Sequence, residues 1–212
     1  METYVVRPPG GLDRLEIVER DDSGEPGPGE VRVAIHATSL NFHDLLVANG
    51  GIPTEDGRVL VADGAGVVEA VGAGVAEFAP GDHVVSTFFQ HWIAGRPFTA
   101  VGNFAGTPGD GIDGMAATHV VRPVSAFTRA PKGWSHPEAA TITTFGLTAW
   151  RALVIDGALQ AGQTVLTLGS GGVSLAALQL AKAMGAHVAA TFSSDEKFER
   201  LPRSCGGALD AD

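Results

Sequence analysis

The stretch Val165–Lys197, VLTLGSGGVSLAALQLAKAMGAHVAATFSSDEK, constrains the fold of this chain more than any other. A short β-type run ends in Gly-Ser-Gly-Gly, an apolar segment of helical period follows, Gly185 closes it, and a second β-type run begins at His187. This pattern predicts a strand over Thr164–Leu168, a helix from about Gly172 to Met184, and a strand over His187–Phe192. Two strands joined through a helix of that length pair in parallel, and parallel pairs are normally covered on both faces. Ser193 and Glu196 have capping-box spacing and start a further helix at Asp195.

The turn between strand and helix reads Gly169-Ser170-Gly171-Gly172-Val173-Ser174, a G-x-G-x-x-[small] pattern with Ser174 at the third position. A first glycine permits the sharp turn, a second lets the backbone approach a pyrophosphate, and the helix start offers unpaired N–H groups. In a chain with 29 glycines a tight structural turn is the bland alternative. The strand before, the helix after and the second strand beyond favour dinucleotide binding by Gly169, Ser170, Gly171, Gly172 and Val173. An NAD-preferring unit carries Asp or Glu about 20 residues on. This chain has Ser193 and Ser194 there, with Lys197 and Arg200 following, a set suited to the extra phosphate of NADP. A capped, solvated helix start is the alternative, kept open by Asp195.

From Thr3 to about Arg129 the pattern is mainly strand. LEIVER, VRVAIHATS, GAGVVEAVG, HVVST, MAATHVVRP and SAFTRAP alternate or run apolar, with DDSGEPGPGE and APGD as turns. Short strands with frequent turns predict a compact antiparallel barrel. FHDLLVAN reads as a short helix stopped by Gly50 and Gly51, and Phe88–Ile112 as an irregular loop rich in Gly, Pro and aromatics that covers a site or disorders. At Ser135 the period turns helical: Ser135, Pro137 and Glu138 form a helix start, and Gly146 is expected to divide the run into two helices. The expected domains are 1–128 and 129–212, the first β-rich and the second α/β.

The formal charge is 14 basic minus 24 acidic residues, or −10, which disfavours nucleic acid and anionic membranes as partners. No apolar run is long enough to span a bilayer, and METYVVRPPGG lacks the features of a secretion signal, so a soluble cytoplasmic protein is expected. One cysteine, Cys205, excludes an internal disulfide and a cysteine-cluster zinc site. The seven histidines are dispersed without H-x-x-x-H spacing, and each reads as a solvated or core residue.

With these segments in hand, the chain resembles the medium-chain dehydrogenase/reductases of the zinc-free, quinone-oxidoreductase-like branch. SLNFHDLL, DGAGVVEAVGAGV, FAPGDHVV, HPEAATITTFGLTAW and the opening stretch carry the resemblance from about Tyr4 to Arg200. It implies a GroES-like barrel domain followed by the first part of a Rossmann domain, and hydride transfer between NAD(P)H and alcohols, carbonyls, quinones or activated alkenes. Where zinc-dependent relatives hold metal, the matching positions are Asn41, Ala62-Asp63 and Thr144. Asn, Ala and Thr do not make a catalytic zinc site, so no metal is expected. The resemblance places Asn41 and His43 toward the nicotinamide, as hydrogen-bond donor and proton donor, and Thr148 beside the cofactor. A helix cap for Asn41 and an exposed first-turn position for His43 are the structural alternatives. Asp44 anchors the loop. Phe88, Phe89, His91 and Trp92 fall where a pocket for a flat or apolar small-molecule substrate is shaped, with loop packing as the other reading; Trp150 reads as core.

After SSDEKFER the chain departs from the family with LPRSCGGALDAD, where Pro202 would break the helix. A shifted reading frame or artificial end is the expectation, with little or no turnover from the chain as it stands. Two readings follow: an NADP-dependent oxidoreductase, or a non-catalytic remnant acting at most as a nucleotide-binding or assembly module. RNA binding fits the charge poorly. Homo-oligomer formation is left open, although uncovered parallel strands would favour association.

Overall fold

The computed structural model describes residues 1–95, 104–192 and 194. Ser193, Lys197, the expected helix at Asp195 and the tail beyond lie outside them. Two compact units are present, Met1–Thr144 and Phe145–Asp212.

The first unit holds two antiparallel sheets. In the smaller, β1 (Glu2–Val6) lies between β2 (Leu15–Glu19) and β4 (Arg58–Val59). In the larger, the order is β7 (His119–Pro123), β3 (Glu30–Ser39), β5 (Asp63–Val71), β6 (His83–Ser86) and β8 (Phe127–Arg129). Alternation along β3, β5 and β6 turns Val31, Val33, Val68 and Val84 into one core with Phe78, Met115, Val120 and Phe127. Val6, Val47, Leu60 and Val61 make a second cluster under helix α1 (Phe42–Ala48). The strands and α1 lie where the alternating pattern and the Gly50–Gly51 stop place them.

The division falls at Thr144/Phe145, later than the boundary expected after 128. Helical period marks where a helix starts but not what it packs on. Helix α2 (His136–Ala140) begins with the expected Ser135/Glu138 box: Ser135 N donates to Glu138 Oε2 (2.9 Å), and Glu138 N to Ser135 Oγ (3.5 Å). It then buries Ala139 and Ala140 against Ala65 and Val85, so it belongs with the first unit.

Three of the dispersed histidines meet at the start of α2. His36 is the extra residue of a β-bulge in β3, between Ile35 and Ala37. Its Nδ1 lies 3.1 Å from His136 Nδ1, while His136 Nε2 lies 3.0 Å from His83 Nδ1. The His136 ring stacks on His83 and meets His36 edge-on. These residues are therefore not independent solvated side chains. Burial, then the two neighbouring imidazoles, lowers the His136 pKa. With the folded value below the unfolded one near 6.5, the stability from neutral His136 is complete above that pH and is lost as pH falls through the folded value. Melting temperature should therefore fall below pH 6.5 more steeply in wild type than in His136→Gln; parallel curves would contradict this.

In the second unit, Ile142–Gly146 and Arg151–Asp156, both π-helical, flank helix α3 (Leu147–Trp150). Gly146 does not divide the run: its backbone is right-handed helical, φ −65 and ψ −49. Ala149 faces helix α4 (Gly172–Ala183), packing with Ala176, Ala177, Phe145, Leu153 and Leu180. Trp150 is not core; it is 41% exposed and not part of that cluster. Strands β9 (Thr164–Leu168) and β10 (His187–Thr191) pair in parallel, Thr164 with His187 through Leu168 with Thr191. Strand, crossover helix and parallel strand lie as the opening stretch predicts.

Candidate functional site

In the first unit the site is built at the start of α1. Asn41 is its N-cap residue in extended backbone, φ −114 and ψ 162. Asp44, three positions on and buried, accepts from Asn41 N (2.7 Å) and from Ala62 N (3.0 Å). It thus ties α1 to the segment leading into β5. Val61, just before, has φ +73, a conformation costing a β-branched residue roughly 1–3 kcal/mol. The bond from Met115 N to Val61 O (2.7 Å), with the Asp44 tie, holds it there. Strain is spent at the residues that aim Asp63.

Asp63 is fully buried. Its Oδ2 accepts from Ser39 Oγ (2.9 Å), Asn41 Nδ2 (2.9 Å) and Thr144 N (3.3 Å), and its Oδ1 from Thr144 Oγ1 (2.6 Å). Burial pushes the Asp63 carboxyl up, and the bonds from Thr144, Asn41 and Ser39 pull it back. Asn41, Asp63 and Thr144, the positions compared above with zinc ligands, are therefore gathered into one place and bonded to each other. Among the described residues, no group of three His, Cys, Asp or Glu could hold a metal ion. The Asn41 Nδ2 group serves Asp63, while its side chain and that of Asp44 form a capping box at the start of α1, so Asn41 is also the helix cap.

His43 is not an exposed first-turn residue: its side chain is 18% exposed. Its Nε2 lies 3.3 Å from Oδ2 of Asp110, which is itself buried. This is a charge contact rather than an aligned hydrogen bond, since Nε2 is buried without a hydrogen-bond partner among the described residues. The Asp110 carboxylate raises the His43 pKa, burial opposes it, and Asp44 and Asp63 add to the rise. The His43 ring meets Phe88 edge-on (5.3 Å), Phe88 meets Phe89 (4.8 Å), and Phe89 touches Trp92 and Phe104. His91 stands apart from this chain of rings, exposed, with Nε2 3.3 Å from Gln90 Nε2. Asp110 escaped the sequence reading because PGDGIDG signals only a turn, and nothing local marks a buried carboxylate.

In the second unit Gly169 has φ +79, the left-handed conformation that lets β9 end in a sharp turn. Gly171 is the N-cap of α4, with ordinary φ −72, and no side chain caps the helix. Gly171, Gly172 and Val173 are exposed and Ser170 half-buried. Ser174 Oγ donates back to Leu168 O (3.0 Å), fastening helix to strand. A Cβ on Gly172 would press on the Phe145 ring at 3.2 Å, a packing need the turn pattern does not reveal. Thr148 lies exposed on α3, and Ser194 is exposed beyond β10.

A model of the alcohol dehydrogenase GroES-like domain matches residues 27–132, half of the chain. The chain belongs to the medium-chain dehydrogenase/reductase family. Among its relatives is a zinc-type alcohol dehydrogenase-like protein of Schizosaccharomyces pombe, 40% identical over 195 residues, 89% of this chain and 55% of that protein. A solved putative alcohol dehydrogenase from Sinorhizobium meliloti is similar with TM-score 0.83 and 40% identity, over 94% of this chain and 59% of that one. A solved NAD-dependent alcohol dehydrogenase follows with TM-score 0.82 and 39% identity, over 94% and 60%. The chain thus spans somewhat more than half of these medium-chain relatives. Its two units are a GroES-like domain and part of a Rossmann domain. No helix among the described residues is long and apolar enough to cross a membrane.

Proposed function

We propose that this chain binds NADP(H) and acts, in the cytoplasm, in hydride transfer to or from a carbonyl, quinone, activated alkene or alcohol, without zinc. The observation that carries the nucleotide half is Gly171. Its φ is ordinary, and a Cβ there would meet nothing within 4 Å, so neither backbone nor packing calls for glycine. The open space lies over helix N–H groups that no side chain caps, where a diphosphate would approach closely. Gly169, Ser170, Gly171, Gly172 and Val173 form the cradle, with Thr148 beside the cofactor. Similarity to an NAD-dependent alcohol dehydrogenase supports a nicotinamide dinucleotide, and Ser193, Ser194 and Lys197 favour the 2′-phosphate form.

The donors at the expected metal positions do not fit zinc. Asn41 and Thr144 are poor ligands, and both already bond to Asp63. The nicotinamide, when bound, supplies the hydride to the acceptor carbon. Asn41 Nδ2 carries two N–H bonds; one goes to Asp63, and the other is left to donate to the acceptor oxygen. His43 supplies the proton. The chain of rings from Phe88 to Trp92 suits a flat substrate.

Fluorescence titration tests this reading. NADPH should bind in the micromolar range and about tenfold more tightly than NADH, a difference of ~1.4 kcal/mol. Failure of both nucleotides to bind would overturn it. Turnover of quinones, enones or alcohols would support the hydride-transfer half; binding without it, the outcome expected of the chain as it stands, leaves the second reading, a nucleotide-binding module.

A further inference from the structure

We propose that Asp110 is the positioning residue of a proton donor: it holds the proton of His43 on Nε2 and leaves Nδ1 as the atom that protonates the reduced acceptor. This deepens the reductase reading above and rests on it.

Burying Asp110 is costly. Thr107–Asp110 is a buried loop run, and its carboxylate accepts from Gly111 N and faces His43 Nε2 at 3.3 Å. Among the described residues no lysine or arginine pairs with it. A buried carboxylate without a cation costs several kcal/mol, so the pair is stable with His43 as imidazolium or with its neutral N–H turned to the carboxylate.

Neither partner can readily withdraw. Gly111 N and Ile112 N both donate to Thr107 O, at 3.0 and 3.1 Å, and Gly109 N donates to Ile112 O at 2.9 Å. A Cβ on Gly111 would lie 2.3 Å from Phe104 O, so this loop is closely interlocked rather than a loose cover. On the other side the His43 ring rests edge-on against Phe88. With Nε2 facing the Asp110 carboxylate, Nδ1 is the remaining exchangeable position. The charges facing the ring are Asp44 from α1, Asp63 from the start of β5 and Asp110 from the loop, all negative. The segment carrying Phe88 and Phe89 adds none. All three favour imidazolium near neutral pH.

Hydride addition to the acceptor carbon forms a C–H bond and places an electron pair on the acceptor oxygen. That oxygen takes the Nδ1 proton, and the two electrons gained by the acceptor are those that a dihydronicotinamide would supply with its hydride when bound. His43 is left neutral with its proton on Nε2 toward Asp110, and solvent restores the other. The carboxylate fixes the tautomer and stabilises the cation.

The test is a pH series of long-range ¹H–¹⁵N spectra of the His43 ring in wild type and Asp110→Asn, with NADPH affinity measured on the same samples. The neutral wild-type ring should carry its proton on Nε2 and titrate above the ordinary histidine value. Asp110→Asn should lower the midpoint toward the ordinary histidine value, with a matching fall in the imidazolium-to-imidazole ratio. A neutral wild-type ring protonated on Nδ1, or the same midpoint in both proteins, would overturn the proposal. If Asp110→Asn does not fold, the wild-type tautomer decides alone. Loss of NADPH binding alongside the expected His43 behaviour would count against the reductase reading and not against the role of Asp110 on the ring.

Discussion

Asp63→Ala should destabilise the first unit by about 3–5 kcal/mol, whereas Asp63→Asn should cost under about 1.5 kcal/mol. Alanine removes the acceptor for Ser39, Asn41 and both donors of Thr144. Each donor left buried and unsatisfied costs roughly 1–3 kcal/mol, less where a side chain can turn toward water. Asparagine behaves differently because of how the bonds divide. Its Oδ1 can replace the oxygen that accepts from Ser39, Asn41 and Thr144 N. Its Nδ2 then faces Thr144 Oγ1, a hydroxyl that can rotate from donor to acceptor. The folded pKa of Asp63 is raised, so ionisation itself opposes folding: that contribution favours stability below the unfolded value and is lost as pH rises through the folded one. Asparagine avoids this penalty. Chemical denaturation of the full chain at neutral pH measures both variants, and equal losses would show that Asp63 matters through charge rather than as an acceptor.

Gly171→Ser should move stability and nucleotide affinity in opposite directions. The N-cap backbone of α4, φ −72 and ψ 168, is that of a capping serine, and the space around its Cβ is open. Serine can therefore accept from an N–H of the first turn and stabilise the helix by a few tenths of a kcal/mol relative to glycine. The same hydroxyl fills the approach to the amides and takes one of them from an incoming diphosphate. NADPH affinity should fall about 10–100-fold, or ~1.4–2.8 kcal/mol, while the melting temperature stays level or rises. An unchanged affinity would place the nucleotide elsewhere.

The local elements were legible in the sequence because each carries its own physical signature. The strand–turn–helix–strand of the second unit, the Ser135/Glu138 box and the helix at Phe42 lie where period and capping place them. What was hidden is tertiary. The Ser135 box announces a helix but not that Ala139 and Ala140 would seat it on the sheet, so the division lies at Thr144. The three meeting histidines are 47 and 53 positions apart in order, and only a bulge and a helix start bring them together. Trp150 looked apolar enough for a core, but the cluster at that helix is filled by Ala149 and Leu153. For the candidate site, Asn41 and His43 carry sequence signals, but nothing in the sequence pairs them with their neighbouring carboxylates. Asp63 serves Asn41 across 22 positions, and Asp110 faces His43 from a loop the sequence marks only as irregular.

Backbone ¹H–¹⁵N spectra of the full chain during NADPH titration test most directly whether the first amides of α4 receive a dinucleotide diphosphate. Saturable shifts largest at Gly171, Gly172 and Val173 are the expected result. Saturation of the protein with those three amides unmoved, or no binding at millimolar nucleotide, would contradict it.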